Sequence, residues 1–152
     1  MTIQTEKEAE RKPNFARKYL PTVARILLGL LFLMAGTFGL LMSLHLMPLP
    51  PANLPAGAAA FSGALAKTGY MMQLSSATDF IVGVLLLTNR FVPLALALIA
   101  PVIVNIFAFH LFLAPSGIGA GIFAAVLEIY LAWTYRKTYR PMLAMKVAPD
   151  AR

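Results

Sequence analysis

Four strongly polar residues lie within otherwise apolar stretches of this sequence, and their types suit proton transfer or ligand binding. They are Arg25, Asp79, Asn105 and Glu128. Each belongs to a different apolar stretch, and the last three lie near the middle of theirs. A charged side chain in lipid is costly, so such residues normally face the interior of a helix bundle and are paired. We therefore treat the four as candidates for a buried proton or ligand site.

A single arginine can neutralise only one of the two carboxylates. Depth along the chain predicts that Arg25 pairs with Glu128, which leaves one carboxylate without a cation and favours its neutral form. A neutral carboxyl group there would bind a ligand, donate a proton or hydrogen-bond Asn105. Two structural alternatives stay open: the polar residues only fix the helix register, or Arg25 extends to the lipid headgroups.

Two histidines lie near the ends of their apolar stretches, at a depth where a pair of imidazoles would be able to ligate haem. The helical period disfavours this, because His45 points about 200° away from Arg25, and His110 about 140° away from Asn105. An interfacial position is the structural alternative for both. His110 is also a candidate contact for a quinone headgroup, with aromatic side chains of "NIFAFHLF" (105–112) as walls.

Motifs that would identify an enzyme are missing from the sequence. It contains no cysteine, no glycine-rich phosphate loop, no nucleophile elbow and no metal-spaced cluster of His, Cys and Glu. Thiol–disulfide chemistry and thiolate-bound iron–sulfur clusters are thereby excluded. We expect no metal site and identify no catalytic residue, so a redox role would require an organic cofactor or a partner protein.

The composition predicts an integral membrane protein. Hydrophobic residues make up 59% of the 152 residues and charged residues only 12%, whereas soluble domains carry roughly 25% charged residues. A small domain in water has too much surface to hide this much apolar area.

Four apolar segments are long enough to span a bilayer, which takes roughly 20 residues. They cover about 21–47, 69–88, 91–114 and 117–135. The short connections 89–90 and 115–116 force neighbouring spans to run in opposite directions. The sequence therefore predicts an all-α fold, a four-helix antiparallel transmembrane bundle over 21–135, with 48–67 as an ordered cap or a re-entrant loop.

Basic residues cluster at the two ends of the chain. They are Lys7, Arg11, Lys12, Arg17, Lys18 and Arg25, then Arg136, Lys137, Arg140, Lys146 and Arg152. Positive charge beside apolar spans marks the cytoplasmic side. We expect a cytoplasmic segment 1–20, a basic cytoplasmic tail 136–152 that contacts anionic lipid, and a location in a bacterial cytoplasmic membrane. This placement of the charge disfavours nucleic acid as a partner.

Small and polar residues form one stripe on each predicted span, and we expect each stripe to face the bundle interior. The stripes are Arg25, Gly29, Phe32, Gly36, Gly39 and Ser43; Met72, Ser75, Asp79 and Gly83; Leu98, Pro101, Asn105 and Phe112; and Gly117, Gly121, Ala124 and Glu128. Small residues allow helix backbones to approach closely in lipid.

The segment "RILLGLLFLMAG" (25–36) resembles the opening helix of DoxX-like membrane proteins, with arginine, glycine, phenylalanine and glycine at the same spacing. An acid followed by glycine and a leucine run is a second similarity, carried by Asp79, Gly83 and Leu85–Leu87, although the family usually has Glu. "IAPVIVNIFAFHLFL" (99–113) resembles the third span of the family. The resemblance covers roughly residues 20–135 and implies a four-helix integral membrane protein.

Some members of that family are subunits of quinone-linked sulfur oxidation or partners of redox enzymes. The resemblance therefore implies an accessory subunit or partner in a membrane redox process, with quinone as the candidate cofactor. Two other functions stay open: a proton-coupled carrier of a small solute that uses Asp79 or Glu128, and a non-catalytic anchor or assembly factor. A membrane or soluble redox partner and self-association are both compatible with the sequence.

Overall fold

Six α-helices and one short 3-10 helix make up the part of the chain that the computed structural model describes, residues 15–48 and 53–141. They are α1 (Phe15–Ser43), α2 (Ala56–Lys67), α3 (Met71–Leu87), α4 (Val92–Phe112), the 3-10 turn Pro115–Gly117, α5 (Ile118–Thr134) and α6 (Arg136–Tyr139). No strand occurs in these two ranges. The expected all-α class is confirmed for them.

Three of these helical segments are long and apolar enough to cross a membrane. They are Lys18–Ser43, Val92–Phe112 and Pro115–Thr134. The predicted second span corresponds to α3, which has only 17 residues and meets the length requirement only together with α2. These two helices are bent by 93° relative to each other. The described chain therefore has three candidate spans, or four if the bent pair counts as one.

Large apolar side chains are exposed around the outside of the helices. Met34 is 58% exposed, Val104 67% and Ile129 69%. Exposed apolar surface of this extent is incompatible with a monomer in water but suits a lipid environment. The structure thus supports an integral membrane protein.

The helices α1 and α3 run antiparallel with their backbones in contact. A Cβ atom added to Gly36 would lie 2.6 Å from Cα of Phe80 and 2.8 Å from the carbonyl oxygen of Ser76. In the reverse direction, a Cβ atom on Gly83 would lie 2.6 Å from Cα of Leu33. Each of these glycines therefore lies against the backbone of the opposite helix, and the α1 stripe faces the bundle interior, as the sequence predicted.

A core of large apolar side chains lies beside this glycine contact. The fully buried ones are Phe32, Leu28, Leu86, Leu96, Ile99, Leu131 and Val82. They come from α1, α3, α4 and α5, so all four long helices contribute to one core. Burying such a side chain contributes about 1.5–3 kcal/mol in water, whereas in lipid its advantage comes from close packing.

The connection between α3 and α4 is a tight turn with a well-defined end of α3. Asn89 adopts the left-handed conformation, with φ of 57°. The amide of Arg90 donates to the carbonyl of Leu85 at 3.0 Å, and that of Asn89 to Leu86 at 3.2 Å. This is the Schellman pattern, which satisfies carbonyls that a helix C-terminus leaves free.

The helix α2 occupies the region that the sequence predicted as an ordered cap or a re-entrant loop. Pro55 precedes its first turn, where proline is well tolerated because no amide hydrogen is needed. Gly69, with φ of 79°, lies in the bend before α3. Residues 1–14 and 142–152, which include most of the predicted cytoplasmic segments, and residues 49–52 of the cap lie outside the described part.

Candidate functional site

The polar candidates lie in separate places rather than in one cluster. Arg25 contacts the end of α3, Glu128 lines a groove between α4 and α5, and Asn105 lines a cavity beside α2. Asp79 lies on α3, one turn from Ser75, which lines the same cavity as Asn105. The fold therefore does not bring these residues together into the single polar centre that the sequence predicted.

Arg25 does not pair with Glu128, which corrects the sequence-based expectation. Its side chain is only 8% exposed, so it does not extend to the headgroups either. The guanidinium donates hydrogen bonds to the carbonyl oxygens of Leu86 and, at 3.4 Å, of Leu87. Within the described residues, neither Asp79 nor Glu128 forms an ion pair.

The partners of Arg25 follow from the polarity of the helix end. Leu86 and Leu87 are the last two residues of α3. The last carbonyls of a helix carry partial negative charge, and the Leu86 carbonyl, which already accepts from the amide of Asn89, has a second lone pair for the guanidinium. A buried guanidinium is stabilised there without a carboxylate, so Arg25 caps α3 and ties it to α1.

A small polar cavity lies between α2, α3 and α4. Its volume is about 220 Å³, and its lining residues are Phe61, Ser62, Leu65, Met72, Ser75, Val102, Asn105, Ile106, Phe109 and His110. Four of these side chains carry hydrogen-bonding groups, while aromatic and aliphatic groups form the rest of the wall. We call this space the polar cavity.

His110 belongs to the polar cavity together with Asn105, although the helical period places them on different sides of α4. The imidazole Nδ1 of His110 lies 2.8 Å from the carbonyl oxygen of Ile106. A carbonyl only accepts, so Nδ1 carries the hydrogen and Nε2 of the neutral ring is an acceptor. The ring also packs against Gly117, where an added Cβ would overlap it.

The polar stripe predicted for the third span does not face the helical core. Leu98 is 42% and Phe112 77% exposed, and Asn105 and Pro101 are exposed as well. The buried residues of α4 are instead Val92, Ala95, Leu96, Ile99 and Ile103. Asn105 thus meets the polar cavity from an exposed side of α4.

The α2 wall of the polar cavity is the part that the sequence analysis did not predict. Phe61 packs on Phe109, with ring centroids 5.7 Å apart, and Ser62 is the hydroxyl that α2 contributes to the cavity. Alanine and glycine dominate α2 and give no clear periodicity, so its sequence does not indicate which face packs on α4.

Two carboxyl oxygens are buried without a hydrogen-bond partner within the described residues. They are Oδ1 of Asp79 and Oε2 of Glu128. Glu128 is 7% exposed and Asp79 is partly exposed. Buried polar atoms are normally satisfied, so each such group in a native structure calls for an explanation. A proton, a ligand or a partner protein would each supply one.

His45 lies apart from His110. It is exposed and lines a different cavity, near the bend between α2 and α3, together with Gly39, Ser43 and Gln73. No group of three or more His, Cys, Asp or Glu side chains suited to a metal ion occurs in residues 15–48 and 53–141.

The short helix α6 closes the end of the α4–α5 pair. The hydroxyl of Tyr139 donates to the carbonyl oxygen of Pro93 at 2.8 Å. Burial, and secondarily the negative charge of Glu128, raise the pKa of the Tyr139 phenol above its usual value. The neutral phenol is therefore the form that the folded chain favours.

This raised pKa predicts that alkaline pH releases α6. A raised pKa in the folded state means that stability is intact below the ordinary tyrosine value of about 10 and declines as pH rises through the higher folded value. The phenolate also cannot donate to Pro93. The difference in tyrosinate absorbance between the wild type and Tyr139→Phe should titrate above pH ~10, and a titration at or below that pH would contradict this contact.

Comparisons with known proteins identify no relative of this chain. No protein-family model, no curated protein and no solved structure matches the chain.

Proposed function

We propose that the chain is a DoxX-like subunit of a membrane redox process, with four spans in a bacterial cytoplasmic membrane and both termini in the cytoplasm. In this proposal its polar cavity holds the headgroup of a quinone, and a partner protein supplies the electrons. The observation that carries it is the convergence of Asn105, His110, Ser62 and Ser75 on one cavity within the apolar helices.

The chemistry of the cavity supports a quinone headgroup. Quinone carbonyls accept hydrogen bonds, and the amide of Asn105 and the two serine hydroxyls donate them. The hydroxyls of the reduced form donate, and Nε2 of His110 accepts. Phe61 and Phe109 supply apolar walls beside these groups.

The size of the cavity supports one ring rather than a whole ligand. Its volume of about 220 Å³ is below the range of roughly 300–1,000 Å³ for pockets that enclose drug-sized molecules. An isoprenoid tail would therefore lie outside it, along the lipid-facing surface of the helices.

A binding measurement with a matched pair of glycine variants tests this proposal. An added methyl group at Gly117 would overlap the ring of His110, whereas one at Gly119 would meet nothing within 4 Å. We expect Gly117→Ala and Asn105→Leu each to weaken binding of a short-chain ubiquinone about tenfold, the equivalent of one lost hydrogen bond. Gly119→Ala should bind like the wild type.

The assay uses the full chain in lipid nanodiscs, with bound quinone quantified after extraction and with thermal unfolding as the test of folding. Absence of quinone binding by the wild type would refute the proposal. If a folded Asn105→Leu variant bound quinone with the affinity of the wild type, the quinone would lie outside the polar cavity, which would also refute the proposal.

A proton-coupled carrier is a second candidate function, favoured by the two unpartnered carboxyl oxygens of Asp79 and Glu128. In a carrier, at least one of these groups would bind and release a proton during each cycle. Proton-linked flux into liposomes should then fall in Asp79→Asn or Glu128→Gln. Unchanged flux in both variants would exclude this function.

A further inference from the structure

A second space, larger than the polar cavity, lies between α4 and α5. This α4–α5 groove has a volume of about 560 Å³, and its lining residues are Ala100, Ile103, Val104, Phe107, Ala125, Glu128, Ile129 and Ala132. None of them lines the polar cavity. Seven of the eight are apolar, so Glu128 is the single polar side chain of the groove.

Glu128, a lining residue of this groove, has an unmet hydrogen-bonding requirement. The side chain is 93% buried, being 7% exposed, and its Oε2 has no partner within the described residues. Leaving a buried acceptor unpaired costs about 1–3 kcal/mol. The rest of the α5 inner face is Gly121, Ala124 and Leu131, so packing alone does not explain an acid at this position.

The groove borders the exposed apolar surface of the helices. Val104 and Ile129, on its two sides, are 67% and 69% exposed. Beyond its end at Ala100 and Ala132, the contact between Tyr139 and Pro93 ties α6 to α4. A ligand would therefore enter from the hydrocarbon region of the bilayer, which requires a lipid-soluble molecule.

The number of donors selects the headgroup of that molecule. An acyl chain carries no donor and leaves Glu128 unsatisfied. A primary ammonium carries three N–H donors, and the groove offers them only one carboxyl group. A hydroxyl carries one donor, which a carboxyl oxygen accepts whether Glu128 is ionised or neutral. Burial of a neutral pair also avoids the desolvation penalty of an ion pair.

We propose that the α4–α5 groove binds a neutral, lipid-soluble alcohol or phenol whose hydroxyl group donates a hydrogen bond to Glu128. The apolar body of this ligand lies against the alanines of the groove, beside Phe107. The site is separate from the proposed quinone contact and does not depend on it.

Photo-crosslinking of the full chain in phosphatidylcholine nanodiscs tests this site. The probe is a long-chain alcohol that carries a diazirine, and its control is the matching alkane without the hydroxyl. We expect the alcohol to label residues 100–107 and 125–132 about tenfold more than the alkane, the ratio that one hydrogen bond gives. Excess unlabelled alcohol should compete for the labelling.

Variants separate the hydroxyl contact from general burial in the groove. Glu128→Met should reduce labelling by the alcohol to the level of the alkane, while Glu128→Gln, which keeps a carbonyl acceptor, should retain most of it. Ala132→Leu fills the groove and should lower labelling. Ala120→Leu, on an exposed position of α5 outside the groove, should leave it unchanged.

Three results would overturn the proposal. Equal labelling by alcohol and alkane, or full labelling of a folded Glu128→Met variant, would show that the groove holds lipid acyl chains. Stronger competition by an amine of the same chain length would show an ammonium ligand instead. Quinone binding by the Glu128→Met variant, measured in parallel, reports on the polar cavity alone and keeps the two proposals distinguishable.

Discussion

Replacing Gly36 with alanine is expected to destabilise the chain by about 3 kcal/mol, as overpacking of a tight contact does. The added Cβ would meet backbone atoms of α3, with the Cα of Phe80 at 2.6 Å and the carbonyl oxygen of Ser76 at 2.8 Å. Backbone atoms cannot rotate away as a side chain can. The two helices would have to separate, and that would also loosen the Arg25 contacts at the end of α3.

Gly63→Ala is the matched control for this variant. Gly63 lies within α2, and a Cβ there would meet no atom within 4 Å. Its helix propensity should improve by about 0.5–1 kcal/mol. Denaturation with SDS in mixed micelles, followed by circular dichroism, gives both free energies of unfolding. Equal stability of Gly36→Ala and the wild type would contradict the backbone contact between α1 and α3.

Glu128→Met is expected to stabilise the chain by about 1–3 kcal/mol. The substitution removes a 93% buried carboxyl group whose Oε2 has no partner within the described residues and substitutes an apolar side chain of similar length. Most core substitutions destabilise, so a gain at a buried position would identify Glu128 as a residue retained at a cost in stability. Residues of this kind are commonly functional.

Glu128→Gln provides the comparison, because it keeps a buried polar group of the same shape. Its stability should lie close to that of the wild type and below that of Glu128→Met, measured by the same SDS denaturation. A loss of stability in Glu128→Met would show instead that the carboxyl group has a stabilising partner in the membrane, such as a bound lipid or a protein subunit.

The face of α1 that packs on α3 could be predicted from the sequence because small residues mark it. Glycines recur there at helical spacing, at positions 29, 36 and 39. In lipid, small residues at such a spacing favour close contact between helices. The structure places Gly36 against the α3 backbone and Gly39 against Ser76. The same reasoning holds for Gly121 and Ala124 on α5, which are buried.

The face of α4 could not be predicted in this way. That helix is apolar on all sides, so Ile99, which is buried, and Leu98, which is exposed, look alike in the sequence. The assumption that Asn105 marks the core was wrong because a polar side chain is equally satisfied by a polar cavity at the edge of the bundle.

The pairing of Arg25 was mispredicted for a different reason. Charge reasoning from the sequence considers side chains, whereas the partners of Arg25 are the backbone carbonyls of Leu86 and Leu87. Every helix has such carbonyls at its end, and no residue type identifies which end an arginine reaches. The angle between α2 and α3 could likewise not be predicted, because it depends on how the helices pack and not on a residue pattern.

The glycine contact between α1 and α3 has a mechanical consequence. Two helices whose backbones touch cannot slide past each other in small steps, because Gly36 and Gly83 each sit against backbone on the opposite helix. The α4–α5 pair instead borders a groove of about 560 Å³, and the side chains that line such a space lack packing contacts on one side. A change in bilayer thickness or lateral pressure should therefore deform the α4–α5 half of the molecule, while α1 and α3 move together as a single stiff rod.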